Sequence, residues 1–88
     1  MTDKRNWLER VRAERRELST RLTKLEDFLT ALKNGAVRID DQPRQCALLM
    51  MQREVMRQYL VILDRRIELG ELRASIAHVI SHLEETPR

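Results

Sequence analysis

Residues 18–32 read Leu18-Ser19-Thr20-Arg21-Leu22-Thr23-Lys24-Leu25-Glu26-Asp27-Phe28-Leu29-Thr30-Ala31-Leu32. Leucine returns at 18, 22, 25, 29 and 32, in steps of four and three. That period belongs to a helix packed lengthwise against another helix. Toward the N-terminus, Val11 and Leu8 extend the same line. The line calls for an apolar residue at position 15 and meets Arg15 instead. A second line follows through Cys46, Leu49, Met56, Leu60, Leu63 and Ile67, and its missing member is Arg53. A guanidinium on a packing seam is costly unless it is paired or meets a ligand. Arg15 and Arg53 are therefore each expected to face a carboxylate, a carbonyl, a water-filled gap or an anion.

The two lines predict an all-α fold: a long antiparallel helical hairpin, assembled into an oligomeric helical bundle. The first helix is expected over 3–33, capped by Thr2 or Asp3. Gly35, just past the last seam leucine, is suited to the left-handed turn that closes a helix. A connector spans 34–42, with Val37 and Ile39 expected to tuck under the hairpin tip. Pro43, tolerated in a first helical turn, opens a second helix over 43–69. Gly70 interrupts the pattern, and Leu72, Ile76, Val79, Ile80 and Leu83 lie on a shifted register. They predict a short C-terminal helix over 71–85 or a kinked extension of the second. The 88 residues make a single helical domain.

Composition narrows the function classes. Charged residues are 35% and aromatics 3%, which suits long paired helices. The net charge of +3 is too small for a DNA-coating protein, and acidic residues are interspersed with the basic ones of 4–16. The lone Cys46 excludes an intramolecular disulfide and suits a reducing compartment. No apolar core follows Met1-Thr2-Asp3-Lys4-Arg5-Asn6, and no run reaches membrane-spanning length, so a cytoplasmic protein is expected. No glycine-rich phosphate loop, nucleophile elbow or placed carboxylate pair is present, so no catalytic residue and no cofactor is expected. His78 and His82 share a helix face with Glu85 one turn on, but two histidines are not a closed metal site.

The second helix is too apolar for a simple hairpin. Beside its seam runs another stripe containing Leu48, Met51, Val55, Tyr59 and Ile62. The first helix can cover one arc, and soluble monomers avoid exposing the remainder. Leu48, Met51, Val55 and Ile62 are therefore expected to form an interface between copies.

Gln52, Met56, Tyr59, Leu63 and Arg66 follow at steps of four, three, four and three, on one helix face. Tyrosine can stack a ring, glutamine can bond its edge, and arginine can hold a phosphate. Arg15, Lys24, Gln52, Tyr59 and Arg66 are the candidate ligand-binding residues. The competing reading makes Tyr59 and Met56 core, with Gln52 and Arg66 at its margin. Arg5, Arg12 and Arg16 are the alternative anion-binding set at the basic N-terminal end.

Leu48-Leu49, Gln52, Met56, Tyr59, Leu63 and Arg66-Ile67 resemble the pattern of small phage proteins related to a crAss-like phage gene product. Glu17-Leu18 through Lys24-Leu25-Glu26-Asp27-Phe28 is similar to the same family's upstream helix. The resemblance covers about residues 8–69 and implies a phage origin and a helical hairpin, with no reaction attached. By analogy with small helical phage proteins that antagonise host defence, the expected function is non-enzymatic binding, in its sharpest form sequestration of a cyclic-nucleotide immune messenger between subunits. A host defence protein bound through the exposed helical face is the alternative partner. A small nucleic-acid-associated regulator is a third reading.

Overall fold

The computed structural model describes residues 4–85. Two helices account for nearly all of them, α1 over Lys4–Lys33 and α2 over Gln42–Glu85. They lie antiparallel and form a rod of 72 × 21 × 18 Å. The expected caps Thr2 and Asp3 lie outside the described residues.

The chain reverses between Lys33 and Gln42. Gly35 has φ of 75°, where a side chain would be strained. Its N–H donates to the Leu32 carbonyl at 3.2 Å, and the Ala36 N–H donates to Ala31 at 2.9 Å. This pair of bonds satisfies two carbonyls at the end of α1. Before α2, Asp41 also adopts a left-handed φ, of 49°. The Gln42 side chain then turns back to accept from the Ile39 N–H at 3.4 Å. Ile39 is half-buried, but Val37, expected under the tip, is exposed. The hydrogen bonds that turn the connector engage its backbone and Gln42, and they leave Val37 outside.

The core is the seam anticipated from the leucine spacing. Val11, Leu18, Leu22, Leu29, Leu32 and Leu63 are buried, and Leu63 is wholly inaccessible. Met56, Leu60 and Ile67 pack around the Val11–Leu18–Leu63 cluster. Burying an aliphatic side chain contributes roughly 1.5–3 kcal/mol. Ordering more than eighty residues opposes it, and six buried side chains make a small core.

Of the two expectations past Gly70, a separate helix over 71–85 is not found: α2 runs as one helix through Gly70 to Glu85. One internal glycine costs a helix only about 1 kcal/mol relative to alanine. Gly70 has a packing role instead. A Cβ there would lie 2.8 Å from Leu8 Cδ1 and 3.0 Å from Trp7 Cζ3. The missing side chain lets the first turns of α1 settle onto α2.

The helices are unequal, with 30 residues in α1 against 44 in α2. At 1.5 Å per residue the difference is about 21 Å. Gly70 lies against Leu8 and α1 starts at Lys4, so the overhang is the part of α2 beyond about residue 74; residues 71–84 are all exposed. The stripe of Leu48, Met51, Val55 and Ile62 is exposed as well, on the side of α2 turned from α1.

Candidate functional site

Each seam has two margins, and the two carry different chemistry. Along one margin, three ion pairs cross between the helices among the described residues. Arg57 donates to Glu26 at 2.5 Å, Arg15 to Asp64 at 2.7 Å and Arg12 to Glu71 at 2.9 Å. The α2 members stand at 57, 64 and 71, seven residues apart, so they share one helix side. Arg15 thus meets a carboxylate, as its place in the seam requires. Its pKa is raised above the ordinary arginine value, first by the hydrogen bond to Asp64 and then by the attraction of that charge.

The other margin holds Tyr59 and Arg66, again seven residues apart on α2. The Tyr59 hydroxyl donates to Glu14. That bond raises the phenol pKa above 10, and desolvation and the charge of Glu14 add to the rise while Arg66 opposes it. The Arg66 guanidinium lies over the Trp7 ring, 5.4 Å from its centroid, in cation–π contact. Gln52 lies one heptad before Tyr59 and donates to Met56 Sδ at 3.9 Å. On α1, Trp7 and Glu14 belong to a row repeating every seven residues, whose next members are Arg21 and Phe28. Tyr59, Trp7 and Phe28 are each a little over one-third exposed. All three aromatic residues of the chain therefore serve the same flank of the hairpin.

The predicted ligand set is divided by this arrangement. Gln52, Tyr59 and Arg66 come together on the aromatic margin. Met56 and Leu63, from the same sequence face, turn into the core. Arg15 belongs to the opposite margin, and its guanidinium is held by Asp64. Lys24 is exposed, three residues from Arg21 and four from Phe28, so it flanks the aromatic row from behind. In the alternative anionic set, Arg12 is paired with Glu71 and Arg16 is exposed. The side chain of Arg5 lies outside the described residues. Trp7 and Arg21 escaped the sequence reading, although the seven-residue spacing 7, 14, 21, 28 was available to find them.

Arg53 takes a third position. Its Nε is buried without a hydrogen-bond partner, and the side chain lines a groove of about 740 Å³ near the hairpin tip. Leu29, Lys33, Cys46 and Met50 also line that groove, whereas Tyr59 and Arg66 do not. This groove and the aromatic margin are thus separate places. Only the margin offers rings for stacking beside cationic and amide groups. Among the described residues no group of three or more His, Cys, Asp or Glu side chains is placed to hold a metal ion. The side chain of Glu85 lies outside the described residues. Among the described residues no helix is long and apolar enough to cross a membrane.

The two-helix scaffold, with stacking, hydrogen-bonding and cationic groups along one margin, belongs to the class of small helical-hairpin proteins. Residues 5–69 match the Sequestin family model, and the chain belongs to that family. The name points to binding or sequestration. The matched stretch contains the Gln52–Arg66 pattern, but the comparisons return no crAss-like relation. No curated protein and no solved structure matches the chain.

Proposed function

We propose that this chain is a phage-encoded protein that sequesters a cyclic-nucleotide immune messenger, and so antagonises host defence in the host cytoplasm. The observation that carries the reading is the aromatic margin of a Sequestin-family hairpin. Tyr59 offers a ring for a base, Gln52 an amide for its polar edge, and Arg66 a charge for a phosphate. Trp7 holds Arg66 in place before any ligand arrives. The margin is open on a single chain, and a second copy would enclose it. Sequestration needs no chemical step: the protein lowers the free messenger concentration by stoichiometric binding.

The test is a thermal-shift screen against cyclic dinucleotides, cyclic trinucleotides and cyclic ADP-ribose isomers. A messenger that binds only the folded protein raises its melting temperature. Heating the complex should then release the ligand chemically unchanged. Release of a cleaved product would replace sequestration with catalysis. No shift with any of these ligands would sink the messenger reading.

A protein-binding antagonist is the second reading, and the exposed apolar stripe of α2 favours it. In that case a host defence protein binds the stripe and no nucleotide shifts the melting temperature. The nucleic-acid reading loses support from Arg12, which is already engaged by Glu71.

A further inference from the structure

The exposed stripe of α2 does not stop where α1 stops. Leu48, Met51, Val55 and Ile62 belong to a heptad line, with Gln58 and Arg65 at its intervening positions. The same line continues through Leu69 and Leu72 into the overhang at Ile76, Val79 and Leu83. Every aliphatic side chain on the line is half or more exposed. The inner seam behaves differently: past Gly70 it reaches only Ala74, Ala77 and Ser81. The overhang therefore has one continuous apolar seam, on the side of α2 turned away from α1.

We infer that a second copy of this chain covers that seam in antiparallel orientation, each overhang docking on the other copy's residues 48–58. Area fits such a pair. Nine aliphatic side chains at roughly 100 Å² each give about 900 Å², which reaches the ~800 Å² per partner of a stable interface. Monomers rarely leave so large an apolar patch bare.

Charge selects the orientation. Parallel pairing in register stacks Arg65 on Arg65 and Gln58 on Gln58 in the middle of the seam. Antiparallel pairing faces each with an aliphatic residue instead. It also lays each overhang on a hairpin body rather than on another unsupported helix.

Charge also selects the register. With Val55 opposite the partner's Leu72, Ile62 meets the partner's Arg65 and Met51 meets the partner's Ile76. The flanking rows then place Tyr59 beside the partner's Arg66 and Gln52 beside the partner's Arg73. No like charges oppose each other on either flank. Sliding by one heptad in one direction sets Arg66 against Arg66 and Glu68 against Glu68. Sliding the other way sets Glu54 against Glu68. Like-charge juxtaposition of this kind discriminates between registers.

The pairing brings the aromatic margins of both copies to the two-fold axis. The partner's Arg66 and the partner's Arg73 then add cationic groups to the Tyr59–Gln52 margin. This consequence for ligand binding rests on the proposed function; the pairing itself does not.

The test is disulfide trapping in full-length protein carrying Cys46→Ser. Val55→Cys and Leu72→Cys are prepared separately, mixed under conditions that exchange subunits, and oxidised with oxidised glutathione. The expected result is a covalent dimer containing one copy of each, with neither variant cross-linking alone. Cross-linking of Leu72→Cys to itself would show that the copies pair in another way and overturn the inference. Absence of the mixed dimer would overturn the register, and a monomeric mass for the wild type would overturn the pairing. A trapped dimer that shifts with none of the cyclic nucleotides would leave the pairing standing and remove the messenger reading alone.

Discussion

Arg15 donates to Asp64 across 2.7 Å, joining positions 49 residues apart in the chain. The bond turns an apparent flaw in the leucine line into a register pin. In the observed antiparallel alignment Asp64 stands where the Arg15 side chain leaves the seam, so the bond links α1 to α2 at a defined level. The pair is partly solvated, so its net effect on stability is small and salt-sensitive.

Removing the two partners should therefore have unequal effects. Asp64→Ala leaves a guanidinium in the seam without its carboxylate and should lower the thermal midpoint. Arg15→Leu completes the aliphatic line and should leave the midpoint at or above that of the wild type. Circular-dichroism melts of both variants at low and high salt decide the matter, and equal losses would refute the asymmetry.

Leu63 is the deepest side chain in the fold. Leu63→Ala should cost about 2–5 kcal/mol, the range for truncating a buried leucine. In so small a core that is a large part of the total stability. Urea unfolding is the measurement, made at fixed protein concentration.

Gly70→Ala sets two effects against each other. Alanine favours the helix by roughly 1 kcal/mol. Its methyl group also intrudes on Leu8 and Trp7. Helix content should hold, while Trp7 moves from its place and its fluorescence maximum shifts. Gly70→Leu should lower the melting temperature outright. An unchanged Trp7 spectrum in both variants would show that the first turns of α1 do not rest on this position.

Tyr59 should ionise above the ordinary tyrosine value, because its proton is shared with Glu14. Folding favours the protonated phenol. The associated stabilisation is thus complete below the unfolded pKa of about 10 and disappears as pH rises through the higher folded value. Ultraviolet difference titration of the sole tyrosine reads this directly. Glu14→Gln should bring the titration back toward the ordinary value.

Tyr59→Ala should weaken messenger binding by roughly 5- to 150-fold, the scale of one lost base–aromatic stack. Arg66→Ala should weaken it by about 10- to 150-fold through one lost charge-assisted bond. Arg15→Ala should change it little, since Arg15 serves the other margin. Calorimetric titration measures all three, with circular dichroism as the control for folding. Full affinity in both margin variants would move the ligand elsewhere, with the Arg53 groove the next place to look.

The helical seams were legible because period alone determines them: Leu18 through Leu32 can pack in one way only. The pairing across the hairpin was not legible. Which carboxylate answers Arg15 depends on the connector's geometry, including the left-handed residues Gly35 and Asp41. At Gly70 the sequence left a separate helix and an extension of the second both open, for a related reason. Its local propensity signals a break, while its actual role depends on Trp7 and Leu8, some sixty residues away in sequence. The face through Gln52, Tyr59 and Arg66 was visible, but its division from Leu63 required the second helix to be in place. The α1 half of the margin stayed hidden because the row 7, 14, 21, 28 mixes aromatic, acidic and basic residues, and only α2 packed beside it shows that they share a flank.

The ion-paired positions 57, 64 and 71 of α2 also restrict how this chain can change in length. Each residue turns a helix by about 100°. A single insertion between Arg57 and Asp64 would swing Asp64, Gly70 and Glu71 away from α1 together. It would also rotate the overhang out of line with Leu48 and Val55. Only whole heptads leave both seams aligned, and a heptad added to one arm needs a matching heptad in the other. Insertions and deletions should therefore gather in residues 34–41, between the two seams, where neither heptad line has to be re-indexed.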